Sequence, residues 1–399
     1  MTERLFLSDS RMDTCTATVL SCEQRGEQHR VLLDRTVFFP NKGGQPCDIG
    51  TIRDADVSSC DEEGELLWHT TDRPLPIGET VTATIDYARR FDIMQQHTGE
   101  HLLSYCAWKL FDATNVGFHC ALTYATLDLD RPLSWEDVWA LERMANAIAA
   151  ENRPVTAKEY AAEEDLKDVP LRKHAEGLTA PIRVVTIENS DACTCCAPHV
   201  RHTGEIGMLK VTELLPYKGG ARLTFLCGGR ALSFVQELQR NMDTLARSFS
   251  TGRDRVVSAV EKQAGELSQA KRELKHAQSK LDAALAVELK SRFVPAGRTN
   301  VLVEIVEGLD GKRLRPLAQA VGEERSLCVL FAPCGEQVYY LLASNGIEKD
   351  MGELIQAVNV ALNGRGGGRG TLAQGSAPNP SDLKDTVEQL RHYFRQVVK

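Results

Sequence analysis

The chain has 399 residues, 42% of them hydrophobic and 26% charged, with a formal net charge of -8; that length calls for several separate cores, and the composition excludes general disorder. An acidic balance excludes a protein that coats nucleic acid through bulk charge, because such binders neutralise phosphates with Lys and Arg, but it leaves room for a local basic patch. The start, MTERLFLSDSRMDTC, has no signal-peptide core and no later run is apolar enough to cross a bilayer, while twelve cysteines scattered except at Cys193, Cys195 and Cys196 do not make a secreted disulfide framework, so a cytoplasmic chain with no membrane partner and reduced thiols is expected.

From Thr16 to about Tyr87, strand-like segments (TATVLSC, HRVLLDRTVFF, DIGTIRDADV, ELLWHT, ETVTATIDY) alternate with Gly, Pro and Asp turns, which predicts a small N-terminal β-barrel within residues 1–90. At FDIMQQHTGEHLLSYCAWKLF the period becomes helical, with Phe91, Met94, Leu102, Leu103, Cys106 and Leu110 roughly on one face. Strands in LTYATLDLD, PIRVVTI, GMLKVTELL and ARLTFLC, with a helix around SWEDVWALERMANAIAAEN, make residues 91–231 an α+β block.

Residues 232–292 read as purely helical. Val235, Met242, Phe249 and Val256 repeat every seven residues, and after a shift of four so do Val260, Leu267, Leu274 and Leu281. The shift is either a stutter in one coiled coil or a helical hairpin broken near SFSTGRD, where Gly252 disfavours helix. Ala270, Ala277 and Ala284 suit close approach of a second helix, from the first arm or from another subunit. Residues 293–399, with NVLVEIV, SLCVLFA, YYLLAS, a helix over Met351–Leu362, NGRGGGRGTLAQGSAPNP and a closing helix, read as a small C-terminal α/β domain. The fold class is thus α+β and multidomain.

In HTGEH, His97 and His101 stand at i and i+4, so both imidazoles can reach one ion. CTCCAPH adds Cys195 and His199, a second clip of soft thiolate and imidazole; two such clips make the tetrahedral set that zinc prefers, one ion per chain, with Cys193 or Cys196 as substitutes for Cys195. A rival reading takes His97, Glu100 and His101 as the H-x-x-E-H pattern of a zinc metallopeptidase, with Glu100 as general base and a downstream carboxylate such as Glu176 as a third ligand. It leaves the Cys/His clip unexplained.

FFPNKGGQPCDIG (Phe38 to Gly50), QHTGEHLL (Gln96 to Leu103) and CCAPHVRHTGEIGMLKV (Cys195 to Val211) together resemble the glycine-rich, HxxxH and CxxxH motifs of the alanyl-tRNA synthetase editing domain and its free-standing AlaX-type relatives. NGRGGGRGTLAQGS resembles the glycine-rich signature of the synthetase's C-terminal domain, so the likeness is to the long form of AlaX-type editing protein. The sequence departs from the family in having Cys196, Ala197 and Pro198 between the clip residues, and Asn41 and Lys42 where glycine is common.

The resemblance implies a trans-editing aminoacyl-tRNA hydrolase that deacylates tRNA(Ala) mischarged with serine or glycine, without aminoacylation. A pocket for alanine cannot exclude either by size, whereas a site built to bond the serine hydroxyl rejects alanine. Gln45 and Thr98 are candidate polar groups for that pocket and Glu100 could assist the hydrolysis. Four protein ligands would close the zinc site, while catalytic zinc normally keeps a position open. A third reading is a non-catalytic tRNA-binding module with structural zinc. In the tail, Arg365 and Arg369 flank a run in which Gly366 and Gly367 let backbone N–H groups approach a phosphate, the expected tRNA contact. The helical and C-terminal domains would also supply a homodimer interface.

Overall fold

The computed structural model describes residues 2–172 and 181–399. The chain is a mixed α+β, multidomain protein that divides into two compact units, Met1–Ser248 and Phe249–Lys399. Among the described residues no helix is long and apolar enough to cross a membrane.

In the first unit, strands Thr14–Arg25, Gln28–Leu33, Leu66–Thr71, Ala55–Glu63, Gly50–Ile52 and Thr80–Ile85 pair in that order, and the last returns to the first, closing a barrel. Its interior is apolar, with Val31, Leu33, Phe38, Ile52, Ala55, Cys60 and Leu67 buried completely or nearly so. The alternation of the sequence there is what a closed sheet with one packed face requires.

Downstream of the barrel runs the helix Tyr87–Phe111, started by the Asp86 side chain on the Arg89 N–H and stopped by Asp112 in left-handed backbone. Its middle turns are buried all round, polar residues included. One side packs on the antiparallel sheet formed by Leu209–Tyr217, Gly220–Cys227, Ala125–Leu129 and Asn115–Cys120. Gly99 is the contact point, since a Cβ there would lie 2.3 Å from the Cys227 sulfur. A glycine in mid-helix costs about 1 kcal/mol in propensity, and this close approach requires it. The helix Trp135–Ala150, capped by a Ser134/Asp137 box, completes the layer. A three-stranded sheet of Val155–Tyr160, Ile182–Ile187 and Ala192–Thr194 leads into the cysteine-rich turn.

The motif helix meets the barrel through Arg90, a guanidinium only 1% exposed. It binds both carboxylate oxygens of buried Asp48 and donates to the carbonyls of Val37 (2.6 Å) and Ser10 (3.2 Å). Asp48 also accepts from the Phe39 N–H at 2.6 Å. The two ends of the loop between Phe39 and Asp48 are thereby tied together and to the helix.

In the second unit, strands Val294–Ala296, Thr299–Ile305, Ser326–Cys334, Gln337–Asn345, Leu372–Pro378 and Arg365–Arg369 form one sheet in that order. The single parallel pair, Thr299–Ile305 with Ser326–Cys334, is joined by the crossover helix Gly311–Val321. That helix and the end of Val256–Lys290 bury one face of the sheet, and the helices Met351–Leu362 and Leu383–Val397 bury the other. The helical stretch before it is interrupted: one helix spans Gly228–Ser248 and the next Val256–Lys290. On the latter Leu267, Leu274 and Leu281 are exposed.

Replacing Asp48 with Ala strands a buried guanidinium, so the first unit should lose about 3–5 kcal/mol. All four tryptophans precede residue 249, so tryptophan fluorescence during urea unfolding reports on this unit alone; a loss below about 1 kcal/mol would contradict the anchoring role.

Candidate metal centre and adjoining cavity

The four residues taken from the sequence spacing converge. One ligand atom from each of His97, His101, Cys195 and His199 lies within 4.8 Å of all the others, on side chains that are buried or half-buried. The Cys195 sulfur sits 3.5 Å from His97 Nε2 and 3.3 Å from His199 Nε2, and His101 also hydrogen-bonds it. His97 and His101 come from successive turns of one helix, whereas Cys195 and His199 come from the turn that follows Ala192–Thr194. Arg183 fixes that turn by donating to the carbonyls of Cys195 (2.9 Å) and Ala197 (2.8 Å). Cys193 and Cys196 lie outside the quartet and line the cavity beside it.

All three imidazoles are held from behind at Nδ1. His97 Nδ1 is 2.5 Å from the Gln45 amide oxygen, His101 Nδ1 is 3.0 Å from Asp191 Oδ2, and His199 Nδ1 is 3.1 Å from Thr98 Oγ1. Thr98 gives its own proton to the Met94 carbonyl at 2.8 Å, so it can only accept from His199. Each Nδ1 therefore carries a hydrogen for its outer partner, and each Nε2 is the nitrogen turned inward toward the sulfur. Such outer partners are what orient imidazole ligands of a metal ion. Gln45 arrives on the loop tied by Asp48, in which Gly44 is required: its backbone is left-handed (φ +76°) and a Cβ would stand 2.5 Å from the Phe118 carbonyl.

The electrostatics match. Burial would raise the Cys195 thiol, but the neighbouring charges of His97 and His199 and the bonds from His101 and His199 bring it well below its ordinary value. His199 is driven by burial down to about 3. Burial also opposes charge on His101, but the bonds to Asp191 and Cys195 and the Glu100 charge raise it well above the usual histidine range. Asp191, despite its burial, is lowered by His101 and Arg172. A ready thiolate ringed by three imidazoles, whose Nε2 atoms become free donors once the proton shared with the sulfur is released, is a set that could hold a metal ion, and no buried polar atom in it lacks a partner.

Two residues of this arrangement escaped the sequence reading. Asp191 has a fully buried side chain, and Arg172 binds it at 2.6 and 3.2 Å. The only sequence signal for Asp191 was an acid two positions before the cysteine knot, and for Arg172 there was none. Gln45 and Thr98 sit behind His97 and His199 respectively. Glu176, the extra carboxylate of the metallopeptidase reading, lies outside the described residues.

A cavity of about 460 Å³ opens against the quartet, with His97, His101 and Cys195 on its wall together with Glu100, Asn115, Phe118, Arg172 and Thr194. His199 is not on that wall and faces a separate small cavity instead. Glu100 is buried, and one of its oxygens accepts from Ser104 Oγ and from Asn115 Nδ2 (2.6 Å). Its other oxygen is 4.0 Å from His101 Nε2. Of the cations near the clip, Arg201 is paired with Asp9, Lys210 with Glu142 and Arg222 with Asp128.

In the second unit, Arg365, Gly366, Gly367 and Arg369 form an edge strand. Its register places Arg365 beside Ser376 and Tyr339, and Gly367 beside Gln374 and Leu341, in rows across the sheet. A groove of about 640 Å³ runs there, lined by Lys312, Arg315, Tyr339, Arg365 and Gln374 among others. Gly366 packs against Gly375 and Ile355, while Gly367 faces open space.

Residues 182–223 match the Threonyl and Alanyl tRNA synthetase second additional domain, and residues 298–396 match the DHHA1 domain. The alanyl-tRNA editing protein AlaX-L of Pyrococcus horikoshii is 28% identical over 99% of this chain and its own whole length. The alanyl-tRNA editing protein Aarsd1 of Rattus norvegicus is 31% identical over 96% of both chains. An alanine–tRNA ligase of Thermococcus kodakarensis is 28% identical over 90% of this chain but only 40% of its own.

Asp191→Asn keeps the shape but removes the charge behind His101, and its affinity for cobalt(II), followed by the thiolate absorption band, should fall about 10- to 100-fold. Unchanged affinity would show that the carboxylate does not orient the ligand.

Proposed function

As the chain belongs to the AlaX-type alanyl-tRNA editing proteins, hydrolases that deacylate mischarged aminoacyl-tRNA, we propose that its own substrates are tRNA(Ala) esterified with serine or glycine. The ester is cleaved beside His97, His101, Cys195 and His199, which hold one zinc ion. What carries this reading is the cavity that exposes three of the four donors on one wall. An aminoacyl ester entering from that side meets the ligand cluster without displacing the outer partners of the imidazoles. Zinc suits one thiolate with three imidazoles, and when bound it supplies a Lewis acid for an ester oxygen or a water.

Hydrolysis joins a water oxygen to the carbonyl carbon, breaks the bond to the terminal ribose oxygen and returns a proton to that oxygen. Gln45 and Thr98 serve it by holding His97 and His199 with Nε2 turned toward the Cys195 sulfur, His97 on the cavity wall and His199 behind it. Glu100 is the carboxylate within reach of the substrate. A polar group on the wall, such as Thr194, gives the serine hydroxyl a partner that alanine would not use. The chemistry is assigned to residues 91–231 together with the loop from the barrel, and the cell compartment to the cytoplasm, where charged tRNA is found.

Affinity for tRNA is assigned to Arg365 and Arg369, with Gly366 and Gly367 admitting the backbone of the RNA to the strand. Among the described residues neither arginine has an ion-pair partner. The exposed Leu267, Leu274 and Leu281 row is assigned to a homodimer contact, testable by light scattering: Leu274→Glu should halve the mass, and an unaltered mass would remove that assignment.

Wild-type protein offered Ser-, Gly- and Ala-charged tRNA(Ala) should release serine and glycine and spare alanine, and a strong chelator should stop it; Cys195→Ala should abolish turnover. Equal rates on all three esters, or full activity in chelator, would sink the reading. Arg365→Ala with Arg369→Ala should raise KM, leave kcat alone and reduce the salt dependence of binding by about two counterion contacts. An unchanged salt slope would move the contact elsewhere.

A further inference from the structure

Glu100 stands on the cavity wall with its two oxygens in different circumstances. Oε1 accepts from Ser104 Oγ and from Asn115 Nδ2, and Asn115 Nδ2 also reaches Ser104 Oγ at 3.1 Å. These contacts fix the carboxylate in place. Oε2 points toward the ligand cluster, 4.0 Å from His101 Nε2. Among the described residues no lysine or arginine lies within ion-pair distance of either oxygen. Arg172, on the same wall, is engaged by Asp191, and Lys42 by Glu62 at 2.6 Å. Among the described residues the carboxylate is thus held in place by neutral donors on one oxygen, with no lysine or arginine paired to either oxygen.

The charges around it explain why a cavity of this kind needs one. A divalent ion held by one thiolate and three neutral imidazoles would leave one positive charge in excess, and the Arg172–Asp191 pair cancels internally. An aminoacyl ester brings a further cation, the ammonium group on the carbon next to the ester carbonyl. Against a protein wall, where screening is weaker than in bulk water, two like charges a few ångströms apart repel. Glu100 offsets the excess on the same wall.

We propose that Glu100 Oε2 binds the free α-ammonium group of the aminoacyl moiety, so that the site accepts esters of free amino acids and refuses N-acylated ones, the class to which peptidyl-tRNA belongs. The proposal rests on the deacylase reading above and adds a recognition element to it. Glu100 is then a substrate-binding residue, not the base that activates water. The two roles predict different losses.

The test uses full-length zinc-loaded protein with Ser-tRNA(Ala) and N-acetyl-Ser-tRNA(Ala), with kcat and KM measured separately. Wild type should use the acetylated ester about 10- to 100-fold less efficiently, the value of a hydrogen bond to a charged group, with most of the loss in KM. Glu100→Gln should lose a similar factor on Ser-tRNA, again in KM, and almost nothing on the acetylated ester, while its cobalt(II) affinity stays at the wild-type level. Equal use of both esters by the wild type needs no variant to fold and overturns the proposal. So does a Glu100→Gln loss confined to kcat and equal on both esters, the signature of a general base. Failure of the wild type to cleave either ester removes the deacylase reading itself, and this proposal with it.

Discussion

The hydrogen on Nδ1 of each imidazole is the constraint on which the site depends. An imidazole offers a lone pair inward only if the other nitrogen is protonated and held, and in this protein the holders come from three places: Gln45 from the barrel loop, Thr98 from the motif helix itself, and Asp191 from the strand pair before the cysteine knot. Much of the first unit follows from that need. The barrel loop is anchored to the helix through Asp48 and Arg90, and the helix is pressed onto the sheet at Gly99. Thr98 spends its hydroxyl proton on the Met94 carbonyl and is thereby left an acceptor.

The three holders are not equivalent. A neutral amide and a hydroxyl stand behind His97 and His199, while behind His101 stands a carboxylate that is itself bound by Arg172. A carboxylate partner raises the basicity of the imidazole it orients, so His101 is the strongest nitrogen donor of the set. His199 lies away from the large cavity and His97 on its wall. Were the four to hold an ion, His97, on the cavity wall like His101 but backed by an amide and not a carboxylate, would be the more weakly held of the two wall imidazoles.

How much of this was legible in the sequence follows from distance along the chain. The quartet was readable because each half is local: i and i+4 on a helix, and a four-residue clip. Of the two readings of the helical stretch, a stutter in one coil or a break near SFSTGRD, the helix ends at Ser248 and Val256 match the break. The outer partners were not readable as such, because Gln45 reaches His97 across 52 positions and Asp191 reaches His101 across 90, and no spacing rule connects residues that meet only after the barrel, helix and sheet have packed. Gln45 and Thr98 were noticed for their polarity, yet the side of the imidazole on which they stand is a tertiary fact. Arg172 and Arg183, long cations in unremarkable contexts, carried no signal at all.

A chain with a net charge of -8 can engage RNA only where its cations are uncommitted. In the first unit the basic residues near the clip are mostly taken: Arg201, Lys210 and Arg222 each hold a carboxylate, and Arg183 holds backbone carbonyls. Cations already paired add little to a phosphate contact, since binding would first have to break the pair. In the second unit Lys312, Arg315 and Arg365 border one groove, with Arg369 on the same edge strand, and none of the four has an ion-pair partner among the described residues. The distribution of pairing, more than the number of charges, is what supports the proposal of a chemical step in the first unit and of salt-dependent tRNA affinity in the second.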